Sequence, residues 1–317
     1  MRSKPYISFV VTGRNDNYGY KFFDRTQNFF DNLFFLCEKY KLNAEIIFVE
    51  WNPPKEEKKL YEVLGIKKSH YLRIRFIEVS NSIHKSIKNS DKMPLFEYIG
   101  KNVGIRRAKG KFILVTNPDI IFSEDMIRFL SKKNLKENEF YRTDRLDLHI
   151  DLPENLPPES VETFCRKNWK SCWSVKWGRY NRGIKKIKEI KRLFMRTVAK
   201  YIPTYSYLKY HGGGPGDFMI LSKESWIKIR GFPELEFHSG MDGYGCILAV
   251  SSGLKFIILN EKTYHQTHGR PVDDRPLYSM KEYIIDAKKM LKEKKPIVYN
   301  NKVWGLGNFK LNEKSFN

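Results

Sequence analysis

Two hydrophobic periods alternate along the first 150 residues. Tyr6–Thr12 (YISFVVT) is a run of β-branched and aromatic residues that predicts a strand. Phe22, Thr26, Phe29, Phe30, Leu33 and Cys37 then recur at helical spacing and predict a helix near Phe22–Tyr40. Ala44–Glu50 returns to strand character, and Trp51-Asn52-Pro53-Pro54 forces a loop, because proline removes a backbone donor and clashes with the preceding turn. Tyr71–Val79 predicts a third strand. Tyr98–Asp119 predicts an amphipathic helix carrying Asn102 and Arg106, a stop at Gly110, and a fourth strand, Phe112–Thr116, that ends at Asn117-Pro118-Asp119. Strands alternating with helices imply an α/β fold with a mostly parallel, doubly wound sheet flanked by helices.

Beyond Leu152-Pro153 to Pro157-Pro158, an extended boundary, the pattern changes. Trp169, Trp173 and Trp177 are interleaved with Lys170, Lys176 and Arg179, and a helical pattern runs from Ile184 to about Ile202. At about 100° per residue, Ile184, Ile187, Ile190, Phe194, Val198 and Tyr201 share one arc, with Lys185, Lys188, Arg192, Arg196 and Lys200 opposite. Such a basic amphipathic insertion either packs its apolar side on its own domain or lies on an anionic membrane. Downstream, Phe218–Leu221 is an apolar run, Ser222 opens a helix, Asp242 stands before a helix reaching about Ser252, and Lys255–Leu259 predicts a strand. A charged helix over Lys281–Lys295 and a Gly305–Gly307 turn close the chain. The expected parts are a binding half (1–150), the basic insertion (151–210), a catalytic half (211–275) and a helical tail (276–317).

Composition narrows the class. With 317 residues, 41% hydrophobic and 15% aromatic, the chain can bury a sizeable core. No run approaches the roughly 18 apolar residues of a membrane span, and Met1-Arg2-Ser3-Lys4-Pro5 leads into a strand rather than a signal-peptide core, so a cytosolic protein is expected. Cys37, Cys165, Cys172 and Cys246 form no Cys-x-x-Cys pair, which argues against a structural zinc site. The net charge of +22 is uneven: residues 161–210 hold 14 Lys/Arg against Glu162 and Glu189. Such a surface attracts phosphates on a nucleotide, a nucleic acid or an anionic lipid, and it would place the protein peripherally at the inner membrane face.

Chemistry concentrates at strand ends. Ligands of open α/β sheets collect beyond the carboxyl ends of the strands, where Asp119 stands. His211-Gly212-Gly213-Gly214-Pro215-Gly216-Asp217 lets backbone approach a ligand closely, but it lacks the Gly-Lys-Ser/Thr ending of a phosphate-binding loop and the dinucleotide spacing.

The order of Tyr6–Arg14, Glu50, KNVGIRRAKGKFILVTNPD, GDFMILSKESWIKIRGFPE, GMDGYG and Tyr264-His265-Gln266-Thr267-His268-Gly269 resembles the GT-A fold glycosyltransferases, particularly the family 2-like group, over about residues 5–270. The resemblance implies a nucleotide-sugar donor near Thr12, Arg14 and Glu50, with Lys101, Asn102, Arg106 and Asn117 as further donor contacts. It implies a divalent cofactor, Mn²⁺ or Mg²⁺, at the Asp-x-Asp position. Here that motif reads Asn117-Pro118-Asp119, so only Asp119 transfers, with His265 or His268 as a second ligand. Asp242 matches the general base of an inverting transfer, and Asp217 and Trp226 match acceptor-facing positions. The acceptor would be a glycan or a lipid-linked molecule.

Two rivals remain. A nucleotidyltransferase would need a glycine- and lysine-rich loop after Thr12, which is not evident. A basic nucleic-acid-binding protein is supported by the charge and the tryptophans, yet no RNA-recognition, helix-turn-helix or zinc-finger signature is present, so nucleic acid is the disfavoured partner.

Overall fold

The protein is described, in a computed structural model, over residues 3–183, 187–199, 201–202, 207–211, 214–235, 241–269 and 280–316. Ile184, Lys185, Lys200, Gly212, Gly213 and His238-Ser239-Gly240 lie outside the described residues, as do the side chains of Ile187, Lys188, Arg192, Arg196 and His211.

The first half follows the predicted alternation: β1 (Ile7–Gly13), α1 (Phe22–Tyr40), β2 (Ala44–Trp51), α2 (Leu60–Val63), β3 (Leu72–Val79), α3 (Asn81–Lys85), α4 (Glu97–Arg107), β4 (Phe112–Val115), β5 (Ile120–Phe122), α5 (Glu124–Ser131), β6 (Glu139–Arg142) and β7 (Arg145–Leu148). The second half contributes α6 (Val161–Asn168), β8 (Trp169–Ser174), β9 (Gly178–Asn181), α7 (Ile187–Ala199), α8 (Leu208–His211), β10 (Met219–Ser222), α9 (Lys223–Ile229), α10 (Met241–Ser251), β11 (Lys255–Ile258), β12 (Thr263–His265), α11 (Met280–Glu293) and β13 (Asn312–Phe316). Ser222 caps α9, its side chain accepting from Ser225 N. Asp242, expected ahead of its helix, is instead the second residue of α10.

The fold is α/β with a large, helix-flanked sheet. Its eight strands run β11-β6-β10-β4-β1-β2-β3-β13. The central β4-β1-β2-β3 set is parallel, while β10 and β13 are antiparallel to their neighbours. Because β10 inserts between β4 and β6, residues 211–275 share this sheet with residues 1–150, and the tail adds β13 at its far edge. A second sheet, β5-β12-β7-β8-β9, lies beyond the ends of the first.

Side-chain alternation builds a core on each face of the large sheet. Ile7, Phe9 and Val11 of β1 join Phe29, Leu33 and Cys37 of α1 on one side, and Val10 joins Val103, Trp226, Ile247 and Tyr283 on the other. Each such buried side chain contributes about 1.5–3 kcal/mol relative to exposure.

Helix α4 departs from the expected amphipathic, basic face, being buried from Ile99 to Ile105. Glycines cause this: a Cβ on Gly104 would press into Val10 and one on Gly100 into Thr12, so their absence lets the helix lie directly on β1. Its two arginines turn to the tail, Arg107 donating to Gly305 O at 2.7 Å and Arg106 to Lys302 O at 3.2 Å.

The tryptophans of the β8–β9 hairpin are not open stacking platforms. Arg182 lies over Trp169 at 5.0 Å, Arg179 over Trp173 at 5.2 Å and Lys176 over Trp177 at 5.0 Å. One face of each indole is thus covered by the chain's own cation, while Trp177 stays 41% exposed. Among the described residues, no helix is long and apolar enough to cross a membrane.

Candidate metal and transfer site

Strand pairing in the second sheet assembles the site. Strand β12 pairs antiparallel to β5 with His265 opposite Ile120, and parallel to β7 with His265 opposite Asp147. Gln266 N donates to Asp119 O at 3.0 Å. The residue after the Asn117-Pro118 turn is thereby set beside a histidine nearly 150 positions later in the chain.

His268 is returned to the same point by an anchored loop. Gly269 N donates to Gly19 O, and Gln266 is held by Asn28 at 2.8 Å and by Arg25 O at 2.9 Å. Arg25 in turn donates to Tyr18 O and Tyr20 O, tying down the segment that follows β1.

One ligand atom each from Asp119, His265 and His268 lies within 4.8 Å of the others. His268 Nδ1 meets the carbonyl of Gly269 at 2.7 Å. A carbonyl only accepts, so Nδ1 carries the hydrogen, and in the neutral ring the Nε2 lone pair points towards Asp119 Oδ2, 3.3 Å away. His265 lies between two carboxylates: Nδ1 is 3.5 Å from Asp147 Oδ1, and Nε2 is 3.6 Å from Asp119 Oδ2. Two imidazole Nε2 atoms around one carboxylate call for positive charge among them, as protons on the rings or as a bound cation. Asp119 Oδ1 is also buried without a hydrogen-bond partner. The three residues therefore fit a divalent cation, and two nitrogen donors suit Mn²⁺ better than the oxygen-seeking Mg²⁺.

Burial pushes the Asp119 carboxyl up, but positive charge on His265 and His268 and the hydrogen bonds they donate more than offset this and hold it well below the usual carboxylate range; a cation among the three would act in the same sense. Burial pulls the Arg145 guanidinium down, and Asp217 with Asp147 more than offsets it, so the charge persists.

Arg145 and Asp147 were not singled out by sequence reasoning. The signal was the charged alternation Arg145-Leu146-Asp147-Leu148, which places both charges on one face of a strand. Arg145 Nε lies 2.8 Å from Asp147 Oδ1, and Nη1 pairs closely with Asp217 Oδ2. Asn117 Nδ2 donates to Asp217 Oδ1 at 2.8 Å.

Gly216, the preceding residue, links this cluster to a second one. Its N–H donates to Asp242 Oδ2 at 3.1 Å, and its carbonyl accepts from Lys101 at 3.0 Å. Lys101 is fully buried and also paired with Glu97. Asp119, His265, His268, Asn117, Asp217, Lys101 and Asp242 thus form a connected set.

Other predicted residues are held elsewhere. Trp226 is completely buried, its Nε1 donating to Ile113 O at 3.1 Å, so no ring face is free to wall a sugar pocket. Asn102 is fully buried against Phe232 and Glu234, and Arg106 lies over Trp304 at 5.4 Å. Thr12 is buried, donating to Val49 O at 2.9 Å. Arg14 is anchored by Asn52 O at 2.7 Å and by Asp16. Beside that anchor opens a cleft of ≈ 360 Å³ lined by Asn52, Asn81, His84, Lys85, Ser90, Asp91 and Pro94.

Glu50, at the end of β2, accepts from Leu60 N at 2.8 Å, while its Oε2 is buried without a partner. Burial pushes its carboxyl from 4.5 up to about 7. The folded state therefore holds this proton more tightly than the unfolded chain does. The associated stability is complete below about 4.5 and is lost as pH rises through about 7. A Glu50→Gln variant, which keeps an acceptor for Leu60, is expected to gain stability over the parent as pH rises, reaching about 3 kcal/mol near pH 8. Urea unfolding at a series of pH values checks this; a difference that does not grow between pH 5 and 8 would refute it.

No protein-family model and no curated protein matches the chain. Among solved structures it resembles the crystal structure of S. aureus TarS at 14% identity, over 82% of this chain and 36% of that one, with a TM-score of 0.42. A crystal structure of S. aureus TarS 1–349 also resembles it at 14% identity, over 82% of this chain and 60% of that one, with a TM-score of 0.43. The chain thus spans between one third and three fifths of these structures' length.

Proposed function

We propose that the protein is a glycosyltransferase moving a sugar from a nucleotide-sugar donor to an acceptor hydroxyl with inversion. The observation that carries this reading is the convergence of Asp119, His265 and His268 beyond the strand ends, connected through Gly216 and Asp217 to Asp242. A buried carboxylate–diimidazole set beside a separate carboxylate suits a reaction that gathers negative charge at one point and releases a proton at another.

The nucleoside end of the donor enters the cleft beside Asn52, with Arg14 at its margin. Asp119, His265 and His268 would hold the divalent ion, which when bound would supply positive charge against the departing nucleoside diphosphate. Asp147 Oδ1 stands 3.5 Å behind His265 Nδ1, the place a carboxylate takes behind a ligating histidine. Lys101 and Asn117 fix the Gly216–Asp217 turn, so the position of Asp242 is set by backbone rather than by a mobile side chain. Asp242 accepts the proton of the acceptor hydroxyl as its oxygen attacks the anomeric carbon from the face opposite the leaving group. Asp217, neutralised by Arg145, stands next to that base on the acceptor side.

The test is a thermal-shift screen of UDP-, GDP-, CMP- and dTDP-sugars with and without Mn²⁺. One nucleotide class should raise the melting temperature in a metal-dependent way, because a ligand that binds only the native state stabilises it, by about 2.7 kcal/mol at a hundredfold excess over Kd. Asp242→Asn should keep that shift, since its amide oxygen still accepts from Gly216, yet turn over about a thousandfold more slowly. No shift with any donor, or near-normal turnover of the folded variant, would sink the reading.

A further inference from the structure

We infer that helix α7 docks this protein on an anionic lipid surface, its apolar stripe entering the headgroup boundary; the inference does not depend on the transferase reading. An amphipathic helix of a soluble domain ordinarily turns its apolar arc to its own core. Here that arc faces water: Ile190 is 53% exposed, Phe194 64% and Tyr201 72%, and Met195 in the adjacent row is 64% exposed. The helix leans on β9 instead, with Leu193 and Thr197 as half-buried positions. A contiguous apolar stripe left in solvent marks an interaction surface rather than a packing face.

Charge identifies the occupant. Residues 161–210 carry 14 Lys/Arg against two acidic residues, more than half of the chain's +22. At helical spacing, Lys191, itself exposed, borders the stripe. A basic flank beside exposed Phe and Tyr matches a bilayer surface, where headgroups meet the cations and the rings settle at the acyl boundary. A second copy of the chain would oppose one strongly basic surface to another, so self-association through this face is electrostatically disfavoured. Since no described helix can span a bilayer, the helix lies along the surface rather than across it.

The experiment is flotation of the full chain with vesicles of phosphatidylcholine containing about one third phosphatidylglycerol, against phosphatidylcholine alone. Binding is expected to the anionic vesicles only, and to weaken as salt is raised. A Phe194→Ser/Val198→Ser double variant should lose at least about tenfold in partitioning, because interfacial affinity scales with inserted apolar area. Its thermal melt should match the parent, since both side chains face solvent. A charge variant, Lys191→Glu, should weaken binding while leaving the stripe intact. Failure of the parent to bind anionic vesicles, or unchanged binding by the double variant, would overturn the inference. So would sedimentation showing that, without lipid, the double variant dissociates a dimer formed by the parent, because the stripe would then be a self-association face.

Discussion

Asp119→Ala is expected to reduce turnover by at least about a thousandfold and to abolish tight Mn²⁺ binding. Asp119 is the only carboxylate in the convergent set, and both histidine Nε2 atoms face its Oδ2, at 3.3 and 3.6 Å. Its other oxygen has no hydrogen-bond partner although it is buried. Alanine removes the negative charge that makes a dication favourable there and leaves only the two histidine nitrogens, a weaker site for a hard or borderline ion. Electron paramagnetic resonance of free Mn²⁺ during titration measures the loss apart from activity. The fold should survive, because Gln266 N bonds the Asp119 carbonyl rather than its side chain. If the variant kept the parent's Mn²⁺ affinity, the metal would belong elsewhere, whatever happened to turnover.

Asn102→Ala is expected to cost roughly 3 kcal/mol of stability while leaving donor KM nearly unchanged in the folded protein. The side chain ties α4 to the distant segment Phe232–Glu234. Its Nδ2 donates to Phe232 O at 2.8 Å and to Glu234 Oε1 at 3.0 Å, and its Oδ1 accepts from Phe232 N at 2.8 Å. Glu234 also accepts from Gly305 N, and Asn300 donates to Phe232 O, so the hub fastens the tail to α4. Burial raises the Glu234 carboxyl, and the donors Gly305 and Asn102 work against that rise. Removing Asn102 strips one donor from a buried acid and leaves the Phe232 N–H without its acceptor, and alanine cannot replace either bond. Two glycines confirm how tight the fit is: Gly231 has φ +70° and faces Asn102 Oδ1, and Gly305 has φ +61° with its Cβ position 2.6 Å from Asn102 O. Urea melts combined with donor kinetics separate the two roles. A large rise in donor KM at unchanged stability would instead make Asn102 a donor contact.

These two residues show where sequence reasoning reached and where it stopped. Asn102 and Arg106 were expected to contact the donor because the family resemblance implied it. Gly100 and Gly104 bring the helix against β1, and the tail covers its remaining side, so the same residues serve packing. Trp226 was read as a possible pocket wall, whereas its position in the core between β4 and α10 follows from where β10 enters the sheet. Asp147 and Arg145 carried no motif, and their importance arises from β7 lying beside β12. The basic helix was open to two readings at equal periodicity; which arc meets water depended on the neighbour it found, β9.

The chain's own pattern determined the alternating strands and helices, the Gly110 stop, the Ser222 cap and the placement of Asp119 at a strand end, because these depend on residues within a turn or two of one another. Side-chain period, proline and glycine stereochemistry and capping act locally, and local rules are legible in one dimension. Tertiary structure alone decided that His265 and His268 would meet Asp119, that Asn102 would bind Phe232 and Glu234, and that the apolar stripe of α7 would remain in water. Those outcomes depend on strand order and on which distant surfaces exclude water together, and no single segment encodes them.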